Sequence, residues 1–501
     1  PLKKKDQINE RLNAVQDVFD KPIERDLLSK ELESMYDIER LIGRVSFGNA
    51  NPKDLVSLKL SFQIMPRIKE MCRTFESSLL SNITNLPDLS YSAQLITNAI
   101  KDEPNATLRE GNIIKSGYNK ELDDLRAISS SGKSFLAQLE EREREKTGIK
   151  SLKIKYNRIF GYFIEVTKTN LDLVPEHYIR KQTQANSERY ITEELKVMEG
   201  KILGAQERIV ELEFNLFIEV IDKLKSEIDS VQVVAKHLGQ LDCILCFAQI
   251  AQKKNYCRPE LTEDTFEIIE SRHPVIEAFS DISFIPNDCK LNKDHSMMII
   301  TGPNMAGKST YMRQVALIAL MSHAGSFVPA TLAKIPLMDK IFTRIGAYDD
   351  LVSGQSTFMV EMSEAANILN NATSKSLVIL DEIGRGTSTY DGLSLAWAIT
   401  EYLHSKIKAK TLFATHYHHL NELASKYPAI GNYSIAIEEE EDKIVFLHKI
   451  VKGGTNKSYG IEVAKLAGVP KEVIDASILV MDSIQSSIGN INKEDRDLRD
   501  F

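Results

Sequence analysis

The chain has 501 residues, of which 43% are hydrophobic and 27% charged, and its formal net charge at pH 7 is -8. A chain of this length is too long to fold around a single hydrophobic core, and it predicts about three or four domains. No apolar stretch approaches the roughly 20 residues that cross a bilayer, so the composition predicts a protein without a membrane span. The negative net charge excludes a uniformly basic surface, and any binding to nucleic acid must come from local patches.

The chain begins with Pro1 and shows no signal segment, and we expect it to be a piece of a larger protein. Five scattered cysteines, an odd number, predict a reducing compartment without disulfides. Cys243 and Cys246 form a C-x-x-C pair inside a helix-like run, without a second pair of ligands. We expect these two thiols to pack in a core rather than hold a metal.

Residues 1–134 are predicted to form the first part of a helical core, because helical patterns alternate there with Asn, Pro and Gly breaks. A β-rich insertion follows over residues 135–192. Within it, Leu152 to Val166 alternates like a hairpin with its turn near Asn157 and Arg158. A second helical part is predicted over residues 193–256, with its long helical run from Thr192 to Lys254.

The β-rich insertion is also locally basic, with aromatic residues between the charges. Basic side chains on such a sheet are suited to contacts with the phosphates of a nucleic acid, and the alternative is a solvated sheet face. The candidate contacts with nucleic-acid phosphates are Lys153, Lys155, Asn157, Arg158, Arg180, Lys181 and Arg189.

Near residue 257 the pattern changes to short apolar strands, which places a domain boundary there. We expect one α/β domain over residues 257–453, a helical segment over residues 454–482 and a polar tail over residues 483–501.

Residues 302–309 read G-P-N-M-A-G-K-S between the apolar run Met297 to Ile300 and a helix-like stretch from Thr310 to Met321. Glycines at this spacing let backbone N–H groups surround the phosphates of a nucleotide. Lys308 would supply charge to the outer phosphates, and Ser309 would bind Mg²⁺. The pattern predicts a nucleoside triphosphate site. Its binding residues are Gly302, Pro303, Asn304, Met305, Ala306, Gly307, Lys308, Ser309 and Thr310.

Two further apolar runs end in residues suited to phosphoryl transfer. The run over residues 376–380 ends at Asp381 and Glu382, and the run over residues 411–414 ends at Thr415 and His416. Carboxylates at the carboxyl ends of buried parallel strands lie beside bound phosphates. We expect Asp381 to hold Mg²⁺, Glu382 to orient or deprotonate the attacking water, and His416 to sense the outer phosphate.

Four motifs together resemble the MutS family of DNA mismatch repair ATPases. They read T-G-P-N-M-A-G-K-S-T-Y-M-R-Q, S-G-Q-S-T-F-M-V-E-M, L-D-E-I-G-R-G-T-S-T-Y-D-G and F-A-T-H-Y. Residues 35–54, 157–166 and 177–195 resemble the helical core and the DNA clamp of that family. The resemblance runs from about residue 10 to about residue 482.

The resemblance implies a multidomain fold of α plus α/β type, with a helical core and lever, a small β clamp insertion and an ABC-type P-loop ATPase domain. It also implies a cytoplasmic, Mg²⁺-dependent ATPase that works as a homodimer on duplex DNA at the bacterial nucleoid, with downstream mismatch repair factors as possible partners.

Lys308, Glu382, His416 and Ser356 match the catalytic positions, and Ser356 would reach the partner's nucleotide from the start of a helix. Asp391 matches a dimer contact, and Phe284 and His448 match the pair that stacks on adenine. No part of the chain resembles the family's amino-terminal mismatch-reading domain or its connector domain, and this implies a chain that binds DNA without reading mismatches. The residues 454–482 would close the dimer.

The sequence is also compatible with other functions. One is a relative that acts on recombination junctions without reading mismatches. Another is a structural ATPase that organises DNA, although such proteins need hundreds of heptad residues. A dimerising scaffold would show no ATP turnover, and a transport ATPase would need a membrane span or a docking motif.

Overall fold

The computed structural model describes residues 2–157, 159–280, 283–303, 306–346, 357–440, 443–455, 459–481 and 483. These residues form two compact units. The helical unit consists of residues 26–74 and 80–242, and the α/β unit consists of the residues up to 25, residues 75–79 and the residues from 243 onward. Arg11, near the start of the chain, donates a hydrogen bond of 2.8 Å to the carbonyl of Ala324 within the α/β unit. The first helix therefore packs with this unit, which the prediction of one helical segment over residues 1–134 did not anticipate.

The helices and strands follow the predicted order of helical, β-rich, helical and α/β segments. The helices are α1 (Lys5–Asp20), α2 (Pro22–Glu33), α3 (Ile38–Ser46), α4 (Pro52–Cys72), α5 (Ser78–Thr84), α6 (Ser90–Ala99), α7 (Lys120–Thr147), α8 (Glu193–Lys225), α9 (Ile228–Lys254), α10 (Pro274–Phe279), α11 (Lys308–Ala324), α12 (Thr357–Asn371), α13 (Thr389–Tyr402), α14 (Leu423–Lys426) and α15 (Gly460–Leu466). The strands are β1 (Lys153–Asn157), β2 (Gly161–Thr167), β3 (Ile179–Thr183), β4 (Ser187–Ile191), β5 (Glu260–Thr262), β6 (Phe266–Ser271), β7 (Asn287–Leu291), β8 (Met297–Thr301), β9 (Leu332–Pro336), β10 (Ile341–Arg344), β11 (Leu377–Asp381), β12 (Lys410–Thr415), β13 (Ile430–Glu440) and β14 (Lys443–Lys452). Residues 471–481 are also helical.

In the helical unit, α7 and α8 pack against each other and carry a four-stranded antiparallel sheet of order β1-β2-β4-β3. Asn119 and Thr192 cap the two helices by accepting hydrogen bonds from backbone N–H groups in the first turn. Glu199 of α8 accepts a 3.0 Å hydrogen bond from the backbone of Tyr162, and this bond joins the sheet to the helix. The predicted hairpin over residues 152–166 is confirmed. The predicted helical run from Thr192 to Lys254 is two helices, because it breaks between Lys225 and Ile228.

The α/β unit is built on a six-stranded sheet of order β10-β11-β12-β8-β13-β14, in which only the pairing of β13 with β14 is antiparallel. Alternate residues of its central strands enter two separate cores. Met298 and Ile300 pack with α11 on one face, whereas Met297 and Ile299 pack with α12 and α13 on the other. Burial on both faces explains why these strands are continuous apolar runs in the sequence. A second sheet of order β5-β9-β6-β7 adjoins the first core.

Two expectations from the sequence were wrong for helix α9. It is long and apolar enough to meet a length-and-composition criterion for a membrane span, with a mean hydropathy of 1.2, so the expectation that no stretch approaches this criterion was wrong. A core helix of a soluble protein meets the same criterion. Cys243 and Cys246 are exposed on α9, so the prediction that they pack in a core was also wrong. Across the described ranges, no group of three or more potential metal ligands of the His, Cys, Asp and Glu types comes together.

Candidate nucleotide site

Three adjacent strands of the six-stranded sheet have their carboxyl ends side by side, and we call this side of the sheet the carboxyl edge. The strands β8, β12 and β11 are parallel neighbours, with Thr301 paired to Thr415 and Ala414 paired to Asp381. The residues that follow them are the phosphate loop (residues 302–309), His416 and Glu382. This register brings the three motifs that were predicted separately from the sequence to one place. Ligands bind at such edges because the chain crosses over there and leaves a crevice.

The phosphate loop leads into α11, whose first residue is Lys308. Gly302 and Gly307 have φ angles of 141° and 107°, a region that favours glycine. The Lys308 side chain is buried, and its ammonium donates hydrogen bonds to the carbonyls of Gly302 at 2.5 Å and Pro303 at 2.8 Å. Burial lowers the pKa of Lys308 to about 8, although the negative charges of Glu382 and Asp381 act in the opposite direction. Asn304 and Met305 lie outside the described residues.

The last residue of β11, Asp381, is 9% exposed, and its carboxylate lies beside the hydroxyl of Ser309. Burial raises the pKa of Asp381, and the Ser309 hydrogen bond and the Lys308 charge oppose that shift. One carboxylate oxygen, Oδ1, is buried and has no hydrogen-bond partner within the described part of the chain. A buried carboxylate oxygen without a partner is costly unless a cation or a water satisfies it. Asp381 and Ser309 are therefore suited to hold Mg²⁺, which prefers oxygen ligands.

The next residue, Glu382, is held by two side chains. Its Oε1 accepts a hydrogen bond of 2.6 Å from Nε2 of His416, and its Oε2 accepts one of 2.8 Å from Arg385. The His416 hydrogen bond is the largest cause that lowers the pKa of Glu382 to about 2, against the effect of burial. Glu382 also has a φ of 53°, unusual for a residue other than glycine. Its backbone N–H donates to Ala414 on the neighbouring strand at 2.9 Å.

A cavity of about 520 Å³ adjoins the phosphate loop, and Phe284 and His448 both line it. His448 has a φ of 51°, and its Nδ1 lies 2.8 Å from the carbonyl oxygen of Ala306. Asn287 holds the backbone around His448 in place. Its side-chain N–H donates a hydrogen bond to the carbonyl of His448 at 2.9 Å, and its side-chain oxygen accepts one from the backbone N–H of Ile450 at 2.7 Å. The structure thus brings the two ring-stacking candidates to one cavity beside the phosphate loop.

The remaining predicted positions of this site lie on α12 and α13. Ser356 lies outside the described residues, and Thr357 is the first residue of α12. Asp391 is exposed in the first turn of α13, where its carboxylate accepts a 2.7 Å hydrogen bond from Ser388, the N-cap residue. This placement leaves Asp391 on the surface.

The candidate DNA contacts belong to the four-stranded sheet β1-β2-β4-β3, which we call the basic sheet. They differ in whether an acidic or aromatic side chain already contacts them. Lys155 pairs with Glu165 at 2.7 Å, and Arg180 approaches Glu188 at 3.6 Å. Arg189 is half-buried, with its guanidinium 4.2 Å from the Phe163 ring centre. Asn157 accepts a backbone hydrogen bond in the hairpin turn. Lys153 and Lys181 are exposed without an acidic partner in the described ranges, and Arg158 lies outside those ranges.

Comparison with known protein families identifies the family of this chain. Residues 117–208 match the model "MutS family domain IV", and residues 298–485 match the model "MutS domain V". The chain belongs to the MutS family. Among its relatives, the "DNA mismatch repair protein MutS" of Caldanaerobacter subterraneus subsp. tengcongensis is 53% identical over 97% of this chain and 56% of the relative. The protein of the same name from Clostridium kluyveri is 52% identical over 97% of this chain and 57% of the relative. The chain therefore spans a little over half the length of these MutS relatives.

Sequence reasoning missed several residues that shape the MutS domain V site. Glu361 on α12 is buried and accepts a hydrogen bond from the backbone N–H of Gly384, two residues after Glu382. Arg344 is buried beside Glu361, with 3.5 Å between their charged atoms. The signal in the sequence was Glu361 itself, a charged residue on the apolar pattern of α12 that indicates a buried polar contact. Arg385 lies within the motif L-D-E-I-G-R-G, but the motif does not predict its hydrogen bond to Glu382.

Proposed function

We propose that this chain binds ATP with Mg²⁺ at the edge formed by β8, β12 and β11 and hydrolyses it to ADP and phosphate. The observation that carries the proposal is the buried Oδ1 of Asp381, which lacks a partner within the described residues beside the Ser309 hydroxyl and the Lys308 ammonium. When bound, Mg²⁺ would neutralise phosphate charge and orient the transferred group. Asp381 and Ser309 are the residues that would hold it.

Lys308 has the role of binding the outer phosphates. Within the described residues, its ammonium donates hydrogen bonds to carbonyl oxygens of the phosphate loop, and burial destabilises its charge. An anion placed in the loop would stabilise that charge, since opposite charges attract more strongly away from water. The N–H groups of Ser309 and Thr310, in the first turn of α11, also favour an anion there.

Glu382 is better suited to orient water than to remove its proton. A carboxylate whose pKa is about 2 is a weak base at neutral pH, because His416 and Arg385 stabilise its charge. It stays ionised, and its oxygens can accept hydrogen bonds from a water molecule. We assign His416 the role of coupling the end of β12 to this carboxylate, which fits a residue that senses the outer phosphate.

The cavity lined by Phe284 and His448 would hold the adenine ring. Ring stacking between aromatic side chains needs such a cavity, and its volume lies in the range of small-ligand sites, about 300–1,000 Å³. Asn287 holds the backbone of His448 in place.

For the assembly, we propose a homodimer in which each nucleotide site is completed by the neighbouring subunit. In this arrangement Ser356, which precedes Thr357 in the sequence, reaches the partner's nucleotide, and Asp391 contacts the partner. The exposure of Asp391 supports its part. The proposal for Ser356 rests on the resemblance of its motif to that of the MutS family.

We further propose that the chain acts in DNA mismatch repair in the bacterial cytoplasm. It would clamp duplex DNA through the basic sheet on α7 and α8, with Lys153 and Lys181 on the phosphates. The names of the MutS relatives and the match of residues 117–208 to domain IV support this proposal. Contacts of this kind grip the backbone without reading bases.

Phosphate release measured over a range of Mg²⁺ concentrations tests the ATPase proposal. Asp381→Asn should shift the Mg²⁺ requirement to at least tenfold higher concentrations or abolish turnover, because it removes the charge that would hold the cation. Asp242→Asn, at an exposed position of α9, is the matched control and should leave the Mg²⁺ requirement unchanged. An unaltered Mg²⁺ requirement in Asp381→Asn would overturn the assignment.

A further inference from the structure

A second cavity lies at the amino ends of the strands that carry the nucleotide site. It measures about 730 Å³, and we call it the lysine cavity because Lys293, Lys375, Lys408 and Lys410 line it. Lys410 begins β12, and Lys375 and Lys293 precede β11 and β8. These strands have five or six residues, and a strand rises about 3.3 Å per residue. The lysine cavity is therefore about 17 Å from the carboxyl edge where Asp381 and His416 lie, and it is a separate site.

The charges around the lysine cavity are not balanced. Lys410 is buried and pairs with Asp264 at 2.8 Å. The other acidic residue of the lining, Glu263, has a side chain that is 92% exposed and approaches Lys5 at 3.7 Å. The three lysines that remain are exposed and form no ion pair with the described residues. They are Lys293, Lys375 and Lys408. Ammonium groups gathered around one cavity raise its positive potential and favour an anion.

The backbone holds part of this lining in an uncommon conformation. Residues 403–407 form a π-helical turn, which ends at Lys408 with a φ of 59°. The N–H of Lys408 donates a 2.7 Å hydrogen bond to the carbonyl of Leu403, which closes the turn. Such turns are rare and recur at functional sites. They fix the direction in which a side chain leaves the helix, and here that side chain is a lysine of the cavity.

Neutral groups complete the lining. The hydroxyls of Ser296 and Ser374 are hydrogen-bond donors of the kind that phosphate oxygens accept, whereas the Ser405 hydroxyl donates to the carbonyl of Glu401 at 2.6 Å. The His404 ring lies 4.9 Å from the Tyr427 ring, and its Nδ1 is buried with no hydrogen-bond partner among the described residues. Together with Pro336 and Leu337, this ring gives the cavity an apolar wall.

We propose that the lysine cavity binds a small molecule that carries two or more phosphate groups. Lysine ammonium groups bind phosphate as point charges, and serine hydroxyls supply the shorter contacts. The volume fits a small ligand rather than a macromolecule. The apolar wall can accept a ring attached to the phosphates. Among the described residues, none of the nucleotide site or the basic sheet lines this cavity.

Isothermal titration calorimetry with inorganic pyrophosphate, in Mg²⁺-free buffer, tests the proposal. The full chain is used with Lys308→Met, which suppresses binding at the phosphate loop. The cavity variant changes Lys293, Lys375 and Lys408 to Gln. Its charge-matched control changes three exposed lysines elsewhere in the α/β unit to Gln, namely Lys3, Lys4 and Lys253.

The proposal predicts saturable binding of one pyrophosphate per chain, at least tenfold weaker in the cavity variant and within twofold of the parent in the control. Ser405→Glu, which puts a negative charge at the cavity without removing a lysine, should weaken binding to a similar extent. Absence of saturable binding in the parent, or an equal loss in the cavity variant and the control, would overturn the proposal.

Two further probes identify the source of the phosphates. GDP that binds more tightly than pyrophosphate would assign the apolar wall to a nucleoside, and equal affinities would assign the site to free polyphosphate. Both results uphold the proposal. If the cavity variant weakens the binding of duplex DNA but not of pyrophosphate, the cavity is part of a nucleic-acid surface and the proposal fails.

Discussion

The Glu382 carboxylate and the His416 imidazole are joined by a hydrogen bond of 2.6 Å, which connects the ends of the neighbouring strands β11 and β12. The bond keeps Glu382 ionised, because it stabilises the charged form of the carboxylate. A displacement of His416 would therefore change both the position and the proton affinity of Glu382. This is a direct physical route by which the end of β12 can affect the proposed reaction.

His416→Ala should reduce the stability gained from the charge of Glu382. The pKa of Glu382 is lowered from 4.5 to about 2, so its contribution to stability is present above about pH 4.5 and is lost as the pH falls towards 2. We expect the variant to be less stable than the parent at pH 6, and the difference to shrink at pH 3. Urea unfolding at the two pH values measures it, with His177→Ala at an exposed position as the control. A difference that does not change with pH would contradict this account.

ATP binding should be accompanied by proton uptake above pH 8. The pKa of Lys308 is about 8 in the free protein, and bound phosphates should raise it because they stabilise the ammonium. Affinity should then fall as the pH rises from 8 to 9.5. Calorimetric titration of ATP at pH 8.5, in two buffers with different ionisation enthalpies, should give different apparent binding enthalpies. Identical enthalpies in the two buffers would show that Lys308 is already protonated.

Gly392→Ala should disturb the residues after Glu382. A Cβ at this position would lie 2.2 Å from the carbonyl oxygen of Gly384 and 2.3 Å from the hydroxyl of Tyr417, so both must move. We expect a lower melting temperature and at least a tenfold loss of ATP turnover. Gly200→Ala in α8 is the control, because no atom of the described residues lies within 4 Å of a Cβ added there, and alanine should stabilise the helix by about 0.5–1 kcal/mol. Full activity in Gly392→Ala would show that the loop tolerates the shift.

Replacement of Lys153 and Lys181 together by Gln should weaken binding to duplex DNA and reduce the slope of log affinity against log salt by about 2, one unit for each phosphate contact. Fluorescence anisotropy at several salt concentrations measures both quantities. The charge-matched control replaces Lys53 and Lys223, which are exposed on α4 and α8. Arg189 is packed against Phe163. Its replacement should mainly lower the stability of the fold, and it should change the salt slope less than the lysine replacements do. An equal loss in the lysine pair and its control would indicate that the sheet makes no specific contact.

The same titration compares matched and mismatched duplexes at one salt concentration. We expect equal affinities, because the proposed contacts involve phosphates rather than base edges. A preference of tenfold or more for the mismatch, about 1.4 kcal/mol, would place mismatch reading within this chain.

The sequence predicted much of the α/β unit because its signals are local. The strand predicted over Met297 to Ile300 is β8, and the helix predicted from Thr310 to Met321 lies within α11. Both are set by continuous apolar patterning and by the glycines between them. The pairing order of β8, β12 and β11 was not deduced, since pairing between distant strands depends on long-range packing.

Long-range contacts also explain what the sequence did not show. The hydrogen bond from Gly384 to Glu361 joins a loop to α12, and the bond from Arg11 to Ala324 joins residues 313 positions apart. No periodicity or motif encodes such contacts. In the basic sheet, the type and spacing of the charges were visible, but the ion pair of Lys155 with Glu165 and the burial of Arg189 appear only in three dimensions.

The most direct test of the proposed ATPase is a paired measurement of ATP binding and single-turnover hydrolysis in Glu382→Ala. Binding should be retained, because Lys308 and the phosphate loop are unchanged, whereas hydrolysis should slow by roughly 10²-fold or more since the water is no longer oriented. Lys308→Met in the same assays should lose binding. Hydrolysis at the parent rate in Glu382→Ala would contradict the assignment of the reaction to this edge of the sheet.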